Sequence, residues 1–304
     1  MHFTNSIAAL AFLTSAQASL FSSLLAPRAA SCPAVWTTIS KELTSLFVTN
    51  LQCNDNARAA IRGVFHDCFP QGGCDGSLAL FADELSRPEN TPLVATMNSL
   101  KALAVKYKVG VADMLMFAGS HAVVSCPGGP TTKTYIGRKD ATAAAPPNQL
   151  PAPDVSAAEA KAHFLAAGFS AQDLAALIGS HTAARQFTVD TTKSGASEDS
   201  TPGLWDVLYY LQLITKTSPF SFGVDKNLLA DSETGPIMKT YSVNKGAWDK
   251  AYAPAMAKLE VLGAPFTQID CTGALPRSLL KRSATQNYAR SVINSLTMGK
   301  IAAF

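Results

Sequence analysis

The stretch Arg62–Ser77, RGVFHDCFPQGGCDGS, decides which fold this chain is expected to adopt. The four-residue spacing of Arg62 and His66 places both side chains on one face of a helix. A guanidinium beside an imidazole disfavours the charged imidazole, so His66 is predicted to stay neutral and to accept a proton near pH 7. Arg62 can stabilise negative charge that develops on a bound ligand. Taken alone, however, the same spacing describes an ordinary pair on an exposed helix.

The second half of the stretch supplies oxygen atoms. It offers three hard oxygen ligands, which are Asp67, Asp75 and Ser77. Gly73 permits a tight turn that can aim a backbone carbonyl inward, and Cys68 and Cys74 bracket the loop. Oxygen ligands in such a loop suit calcium, although the spacing is not that of an EF-hand.

Composition limits the possible function classes. The chain has 304 residues, of which 47% are hydrophobic and 15% are charged, and its mean hydropathy is +0.12. This is enough to bury a large core in one domain or in two tightly packed halves. A net charge of +3 is too mild for a nucleic-acid-binding protein.

The N-terminus has the features of a secretory signal peptide, assigned to residues 1–18. Its apolar run is too short to span a bilayer and is followed by the A-x-A pattern Ala16–Ala18, although its charged leader is weak. A buried N-terminal helix is the alternative. No later stretch is apolar for long enough to span a membrane, so we expect a secreted, extracellular protein.

The cysteines agree with this compartment. All six lie beyond the proposed cleavage site, and they are Cys32, Cys53, Cys68, Cys74, Cys126 and Cys271. An oxidising compartment pairs such an even set, whereas reduced structural thiols would be expected in the cytosol. Their spacing does not suggest zinc.

Hydrophobic spacing predicts an all-α fold. Ser156 with Glu159 and Ser170 with Asp173 fit the capping-box spacing at helix starts. The segments predicted to be helical are Ala57–Cys68, Val111–Val124, Ala171–Phe187 and Ala247–Leu262. Strand-like alternation is scarce.

The chain resembles the plant-type haem peroxidase superfamily, and in particular its secreted fungal class (class II-like, ligninase-related, ascomycete type). The opening stretch matches the distal segment of that family. The further matching segments are ELSRPEN at 84–90, GRKD at 137–140, LPAPD at 150–154, DLAALIGSHTA at 173–183, DSTPGLWD at 199–206 and LLADSETGP at 228–236. The resemblance implies two helical halves that sandwich a haem, in a domain over residues 19–276, followed by a poorly packed basic tail at 277–304.

The resemblance also implies roles for the opening stretch. Arg62 and His66 would be the distal catalytic pair above the haem iron, and Phe65 would shape the pocket. Asn90 would accept the other ring proton of His66. The ligands of a first calcium ion would be Asp67, Gly73, Asp75 and Ser77.

Two histidines compete for the axial position below the iron. His121 in GSHA and His181 in GSHT both lie on predicted helices with apolar neighbours, and spacing alone does not decide between them. In the family, the residue after the axial histidine is a hydroxyl ligand of a second calcium ion, which favours His181. The ligands of that calcium would be Thr182, Asp199, Thr201, Leu204 and Asp206, and Asp225 would accept the ring proton of His181.

The implied cofactors are one haem b and two calcium ions, and the implied substrates are hydrogen peroxide and small aromatic or phenolic donors. The enzyme would reduce peroxide and oxidise its donors by one-electron steps through a ferryl intermediate. The implied disulfides are Cys32–Cys271, Cys53–Cys126 and Cys68–Cys74. Glu198 departs from the family, in which a phenylalanine commonly precedes the aspartate of DSTP.

Donor sites known from the family are incomplete here. The three acidic positions that bind manganese hold Asp55, Ala59 and Phe187, and the position of the exposed oxidisable tryptophan holds Ala176. A generic peroxidase that depends on neither manganese nor a surface tryptophan is therefore expected. An exposed Trp205 or Tyr209 would offer another electron route, although large aromatic residues are more often core.

Two other protein classes remain as alternatives. A secreted, calcium-clamped binding domain that has lost haem would be expected if Arg62, His66 or His181 were missing, but all three are present. An intracellular peroxidase shares the same core, but the signal peptide, cysteines and calcium ligands argue against it.

We expect a monomer. The tail beyond residue 277 is expected to be a solvated extension, to be attracted weakly to anionic surfaces, or to be trimmed near Lys281–Arg282.

Overall fold

The chain folds as a set of helices in a computed structural model that describes residues 31–70, 73–263 and 265–278. The predicted signal peptide at 1–18 and residues 279–304 of the basic tail lie outside the described residues. The helices are α1 Val35–Phe47, α2 Asp55–Cys68, α3 Ser77–Leu80, α4 Ala82–Leu85, α5 Val94–Tyr107, α6 Val111–Ser125, α7 Ala157–Ala166, α8 Ala171–Leu177, α9 Leu208–Thr215, α10 Gly223–Ala230, α11 Thr234–Val243 and α12 Lys245–Leu259. The predicted all-α class is confirmed.

The strands of the described residues form two small antiparallel pairs. Strands β1 (Val48–Thr49) and β2 (Gln52–Cys53) pair with Val48 opposite Cys53. Strands β3 (Tyr135–Ile136) and β4 (Ile269–Asp270) pair with Ile136 opposite Ile269. Neither pair forms a layer of the fold.

The first half of the core is built around α6, which is buried along its whole length. Helix α2 packs directly against it, and α1 and α5 also contact it. Gly119 on α6 makes this approach possible, because a Cβ atom there would overlap the Val64 side chain of α2. Helix α2 is thereby fixed with Arg62 and His66 on its opposite face.

The second half of the core is built around α8 and α12, which pack together. The predicted helix Ala171–Phe187 is wrong beyond Leu177, where the chain tightens into a 3₁₀ turn, Ile178–Ala183, and then becomes extended. The Ser180 hydroxyl donates to the Leu177 carbonyl at 2.8 Å, and such local bonds compete with helix continuation. A side chain at Gly179 would overlap Trp248, so this turn lies tightly against the aromatic core.

Local signals at the helix starts match the structure. Ser170 and Asp173 form the predicted reciprocal capping box, and the Ser156 side chain accepts from the Glu159 N–H. Helix α2 begins two residues earlier than predicted because the Asn54 side chain caps it.

The three implied disulfides are all present: Cys32–Cys271, Cys53–Cys126 and Cys68–Cys74. No helix among the described residues combines the length and the apolar character needed to cross a membrane.

Candidate active site

A cavity of about 340 Å³ lies between α2 and the turn Ile178–Ala183. Arg62 and His66 line it from α2, and His181 lines it from the turn. Its other walls come from apolar residues of α7, α8, α10 and α12 and from the loops at 150–155 and 183–189, and Phe65 also lines it. The cavity therefore presents one imidazole from each half of the fold to an apolar space.

Arg62, His66 and Asn90 form a hydrogen-bonded row on the α2 side. Arg62 Nε donates to His66 Nε2 at 2.9 Å, so Nε2 must be an acceptor. His66 Nδ1 lies 2.6 Å from Asn90 Oδ1 and therefore carries the proton in the neutral ring. Asn90 is oriented in turn by donating to the Glu84 carbonyl at 2.9 Å.

This surrounding keeps the His66 imidazole neutral. Burial, reinforced by the charge of Arg62, lowers the pKa of His66 to about 3, against the opposite effect of the Asn90 hydrogen bond. His66 can consequently act as a base over the whole neutral and mildly acidic range.

The loop that follows α2 forms a second, smaller cavity of about 240 Å³. Glu84 lines this cavity together with all four predicted ligands of the first calcium ion, which are Asp67, Gly73, Asp75 and Ser77. Burial raises the pKa of Asp67 to about 7, and the charges of Asp75 and Glu84 add to this effect. A divalent cation among these oxygens would offset the repulsion between the carboxylates, so the donor set suits calcium.

His121 and His181 occupy different environments. His121 is fully buried in the core, with Nε2 2.8 Å from the Ser40 carbonyl oxygen and Nδ1 3.1 Å from Ser125 Oγ. Both of its ring nitrogens are therefore engaged, and burial lowers its pKa to about 4. Of the two candidates for the axial position, only His181 lines the large cavity.

Asp225 holds the His181 ring from behind. The His181 Nδ1–H donates to Asp225 Oδ1 at 3.0 Å, and the Tyr209 hydroxyl donates to the same oxygen at 2.9 Å. The Phe222 N–H donates to Asp225 Oδ2 at 3.1 Å. Within the described residues Nε2 makes no hydrogen bond, which leaves it free to bind a ligand in the cavity.

Glu198 adds a second buried carboxyl group to this side. Its Oε2 lies 3.9 Å from His181 Nδ1, and its side chain is fully buried. Burial, together with the charge of Asp225, raises the pKa of Glu198 well above its ordinary range. Burial alone would also raise the pKa of Asp225, but the charge of His181 and the hydrogen bonds to the carboxylate lower it. Protonation is therefore more favourable at Glu198 than at Asp225.

Most of the predicted ligands of the second calcium ion converge below the same turn. Thr182 Oγ1 donates to Asp199 Oδ2 at 2.7 Å, and Thr201 Oγ1 donates to Asp206 Oδ2 at 3.0 Å. The Leu204 N–H donates to the Thr201 carbonyl at 2.9 Å and closes the loop between them. Burial and the charge of Asp206 raise the pKa of Asp199 to about 8, so a cation would be accommodated here as well.

Comparison with known proteins assigns the family. Residues 39–244 match the family model described as peroxidase.

The chain belongs to the peroxidase family.

This peroxidase is 31% identical to a low-redox potential peroxidase of Taiwanofungus camphoratus, over 79% of the chain and 77% of that relative. It is 27% identical to a peroxidase of Arthromyces ramosus, over 85% and 78%. It is also 28% identical to manganese peroxidase 3 of Phlebia radiata, over 73% and 70%. Together with the helical architecture, these relatives place the peroxidase in the fungal class of the plant-type haem superfamily.

The large cavity fits the haem that this family implies. A flat, mostly apolar macrocycle requires apolar walls and an axial ligand, and the cavity offers both, with His181 Nε2 free on one side. His66 and Arg62 lie on the other side, where a small polar ligand of the iron would bind.

The manganese-site positions lie together at the edge of the haem cavity. Asp55, Ala59 and Phe187 all line it, but the Asp55 carboxylate is bound by Arg58 at 2.7 Å and lies 3.6 Å from Arg185 Nε. The single remaining acid of this trio is therefore paired with guanidinium groups.

The aromatic residues considered as an alternative electron route lie in the core, as large aromatic residues more often do. Trp205 is fully buried and Tyr209 is 1% exposed, and Ala176 is buried as well. None of these side chains can contact a bulky donor directly.

Two contacts of the peroxidase site were missed from the sequence. Glu84 links the Asn90 side chain to the loop of predicted calcium ligands, because its backbone carbonyl accepts from Asn90 and its carboxylate accepts from Ser77 Oγ at 3.3 Å. The only indication of this role of Glu84 in the sequence is that it begins the segment ELSRPEN at 84–90. The hydrogen bond from Tyr209 to Asp225 had no sequence signal, because it depends on how α9 packs against α10.

Proposed function

We propose that this haem peroxidase oxidises small phenolic or similar aromatic donors at the haem edge, and that it uses neither a manganese site nor a surface tryptophan. The observation that carries the proposal is the edge of the cavity, where Ala59 and Phe187 replace two acids and Arg58 binds the third. Hard cations need several oxygen ligands, and one paired carboxylate does not provide them. Phe187 is 38% exposed and offers an apolar surface to an aromatic ring instead.

His66 and Arg62 are proposed as the catalytic pair. When bound, the haem supplies the iron that binds peroxide and holds the oxidising equivalents. His66 Nε2 takes a proton from one peroxide oxygen and returns it to the other, while Arg62 stabilises the negative charge as the O–O bond breaks. Asn90 fixes the tautomer in which Nε2 carries no proton, as the 2.6 Å contact to Nδ1 indicates, and the hydrogen bond that Nε2 accepts from Arg62 has to open before Nε2 takes the peroxide proton.

His181 is proposed as the axial ligand through Nε2. The hydrogen bond to Asp225 fixes the ring and gives the imidazole partial anionic character, which increases its basicity toward a metal. Phe65 would contribute an apolar wall to the distal pocket.

Two calcium ions are proposed as clamps at the ends of the haem-bearing segments. The first would lie among Asp67, Gly73, Asp75 and Ser77, directly after α2. The second would lie among Thr182, Asp199, Thr201, the Leu204 carbonyl and Asp206, directly after His181. The fit rests on adjacent buried and half-buried oxygen atoms, among them carboxylates whose charge a cation would neutralise.

A secreted enzyme is proposed on separate grounds, and the monomer remains an expectation from the sequence. The A-x-A pattern before residue 19 and the three disulfides support passage through an oxidising compartment.

Steady-state assays of the purified holoenzyme with a phenol, with Mn²⁺ and with a non-phenolic aromatic donor test the proposed donor class. We expect turnover of the phenol and little of the other two. The double variant Ala59→Glu, Phe187→Asp sharpens the test, because it restores the missing acids and should raise Mn²⁺ turnover. Wild-type turnover of Mn²⁺ or of the non-phenolic donor at the rate of the phenol would refute the proposal.

A further inference from the structure

Tyr209 on α9 lies behind the His181 ring and is not used by the proposed catalytic steps. Its ring centroid is 5.7 Å from that of His181 in an edge-on arrangement, and the side chain is buried. Its hydroxyl donates to Asp225 Oδ1, the same oxygen that accepts the His181 Nδ1–H. A phenol, the chemical class that a peroxidase oxidises, is therefore built into the protein two hydrogen bonds away from His181, with Asp225 between them.

Tyr209 begins a continuous row of aromatic rings. The Tyr210 ring lies 5.0 Å from that of Tyr209, and Trp248 lies 5.5 Å from Tyr210. Trp205 stacks on Trp248 at 5.0 Å with an interplanar angle of 4°, and Tyr252 lies 4.8 Å from Trp205. Tyr252 lines the haem cavity, so the row leaves the cavity behind His181 and returns to its wall. Electron transfer between neighbouring rings at such distances requires no intermediate carrier.

Proton acceptors distinguish Tyr209 from the other members of this row. An oxidised phenol is a very strong acid, so its one-electron oxidation is favourable only when a base can take the proton. Tyr210 Oη donates to the Ala175 carbonyl and Trp248 Nε1 donates to the Ala176 carbonyl, and neither carbonyl is a base. Tyr252 Oη faces the Met256 sulfur at 3.6 Å. Only Tyr209 in this row donates to a carboxylate, and its 2.9 Å distance lies within the range for direct proton transfer.

We propose that Tyr209 is a redox-active residue of this peroxidase, which gives one electron to the oxidising equivalents that hydrogen peroxide leaves at the haem. In this step the phenolic O–H bond breaks, the proton forms a bond with Asp225 Oδ1, and a neutral tyrosyl radical remains. An external donor later returns one electron, and the proton moves back from Asp225 to the phenolate oxygen. The inference rests on the proposed position of the haem between His66 and His181.

In this reaction one of the two oxidising equivalents is held on a side chain of the protein and not on the haem. Tyr209 and the neighbouring rings are buried, so the radical would be kept from water and from other molecules until a donor reaches the cavity edge. The burial that excludes a direct donor contact at Tyr209 is what would make the radical persist.

Freeze-quench electron paramagnetic resonance on the holoenzyme, mixed with hydrogen peroxide and no donor, tests the proposal. We expect a protein radical in the wild type whose spectrum narrows when the protein carries ring-deuterated tyrosine. Tyr209→Phe should lose this signal. Tyr107→Phe is the matched control and should keep it, because Tyr107 also donates to a carboxylate, that of Glu42, but lies outside the cavity lining.

A measurement on the wild-type protein covers the case in which Tyr209→Phe does not fold. Electron–nuclear double resonance in H₂O and D₂O should show an exchangeable proton coupled to the tyrosyl radical, donated back by the protonated Asp225. The proposal is overturned by a wild type without a tyrosyl radical, by a tyrosyl radical without this proton, or by an undiminished signal in Tyr209→Phe. Failure of His181 as axial ligand would instead alter the resting haem spectrum before peroxide is added.

Discussion

The two sides of the haem cavity are assembled in different ways. On the α2 side, Arg62, His66 and the oxygen-rich loop belong to one stretch of sixteen residues, which a disulfide closes. On the other side, His181, Glu198, Tyr209 and Asp225 come from four separate segments that meet only in the folded core. The geometry of the α2 side is set by one helix and the loop that follows it. The geometry of the His181 side depends on how α8 to α12 pack together. We expect changes on the two sides to affect different measurable properties.

The largest expected effect is loss of the haem itself. His181→Ala removes the only candidate ligand whose free ring nitrogen faces the cavity, so this variant is expected to purify without a Soret band. His121→Ala is the matched comparison, and it should lower the thermal stability but retain haem, because both of its ring nitrogens are engaged in the core. Haem loss in His121→Ala and retention in His181→Ala would exchange the two assignments.

A change on the α2 side should leave haem bound and slow the chemistry. His66→Ala is expected to reduce the rate of reaction with peroxide by about 10²–10⁴-fold, the typical worth of general acid–base catalysis. Stopped-flow absorbance measures this rate directly. His163→Ala on the half-exposed face of α7 serves as a control and should change little. A His66→Ala rate within a few-fold of the wild type would argue against the assignment.

Calcium removal should weaken both sides by mass action. A metal bound only in the folded state at about a hundredfold excess over its dissociation constant contributes roughly 3 kcal/mol to the free energy of unfolding. Chelation is therefore expected to lower the melting temperature by about 5–10 °C, as calorimetry would show.

The variants Asp75→Asn and Asp206→Asn separate the two clamps. Each should lower the calcium content, measured by elemental analysis, from two ions to one. Wild-type protein that is prepared without chelator and contains no calcium would contradict both sites.

The pH dependence of the peroxide reaction reports on the α2 side. Because burial and Arg62 lower the pKa of His66 to about 3, the base form persists as pH falls and the rate should decline only near pH 3. An ordinary imidazole would lose about twentyfold in its base form between pH 7 and pH 5. A stopped-flow rate constant that falls by such a factor over this range would show that His66 is not held neutral.

The smallest expected effect concerns Glu198. Its pKa is raised in the folded state, so its favourable contribution to stability is complete below the unfolded pKa and is lost as pH rises through the folded pKa. Glu198→Gln is expected to change the free energy of unfolding by about 1 kcal/mol or less at acidic pH. The difference between wild type and variant should shift in favour of the variant toward pH 8, as denaturant titrations would show. A difference in the free energy of unfolding that does not change with pH would contradict the raised pKa of Glu198.

This contrast also explains what the sequence could and could not reveal. The i, i+4 spacing of Arg62 and His66 specifies a shared helix face, so their relation required no knowledge of the rest of the chain. The choice between His121 and His181 stayed open on spacing alone, because both follow the same GSH pattern and burial is a tertiary property. The apolar spacing continues through residues 178–183 and predicts helix there, whereas the structure has a 3₁₀ turn in which Gly179 packs against Trp248.

The resemblance to the family identified Asp225 as the partner of His181, but it did not identify the other side chains that lie beside Asp225. Tyr209 and Glu198 reach Asp225 from other segments, and no local pattern records such a meeting. The three disulfide pairings followed from the resemblance and are present, since they join segments that the family fold already brings together.

The disulfide between Cys32 and Cys271 joins residues 239 positions apart and so encloses nearly all of the described chain in one covalent ring. Any single proteolytic cut between these two cysteines opens the ring without separating the two pieces, because one cysteine remains on each. A nicked molecule therefore keeps its mass under non-reducing conditions and divides into fragments only after reduction. If the enzyme is secreted, as proposed, a cut by a foreign protease in a surface loop would leave the two parts of the domain covalently joined.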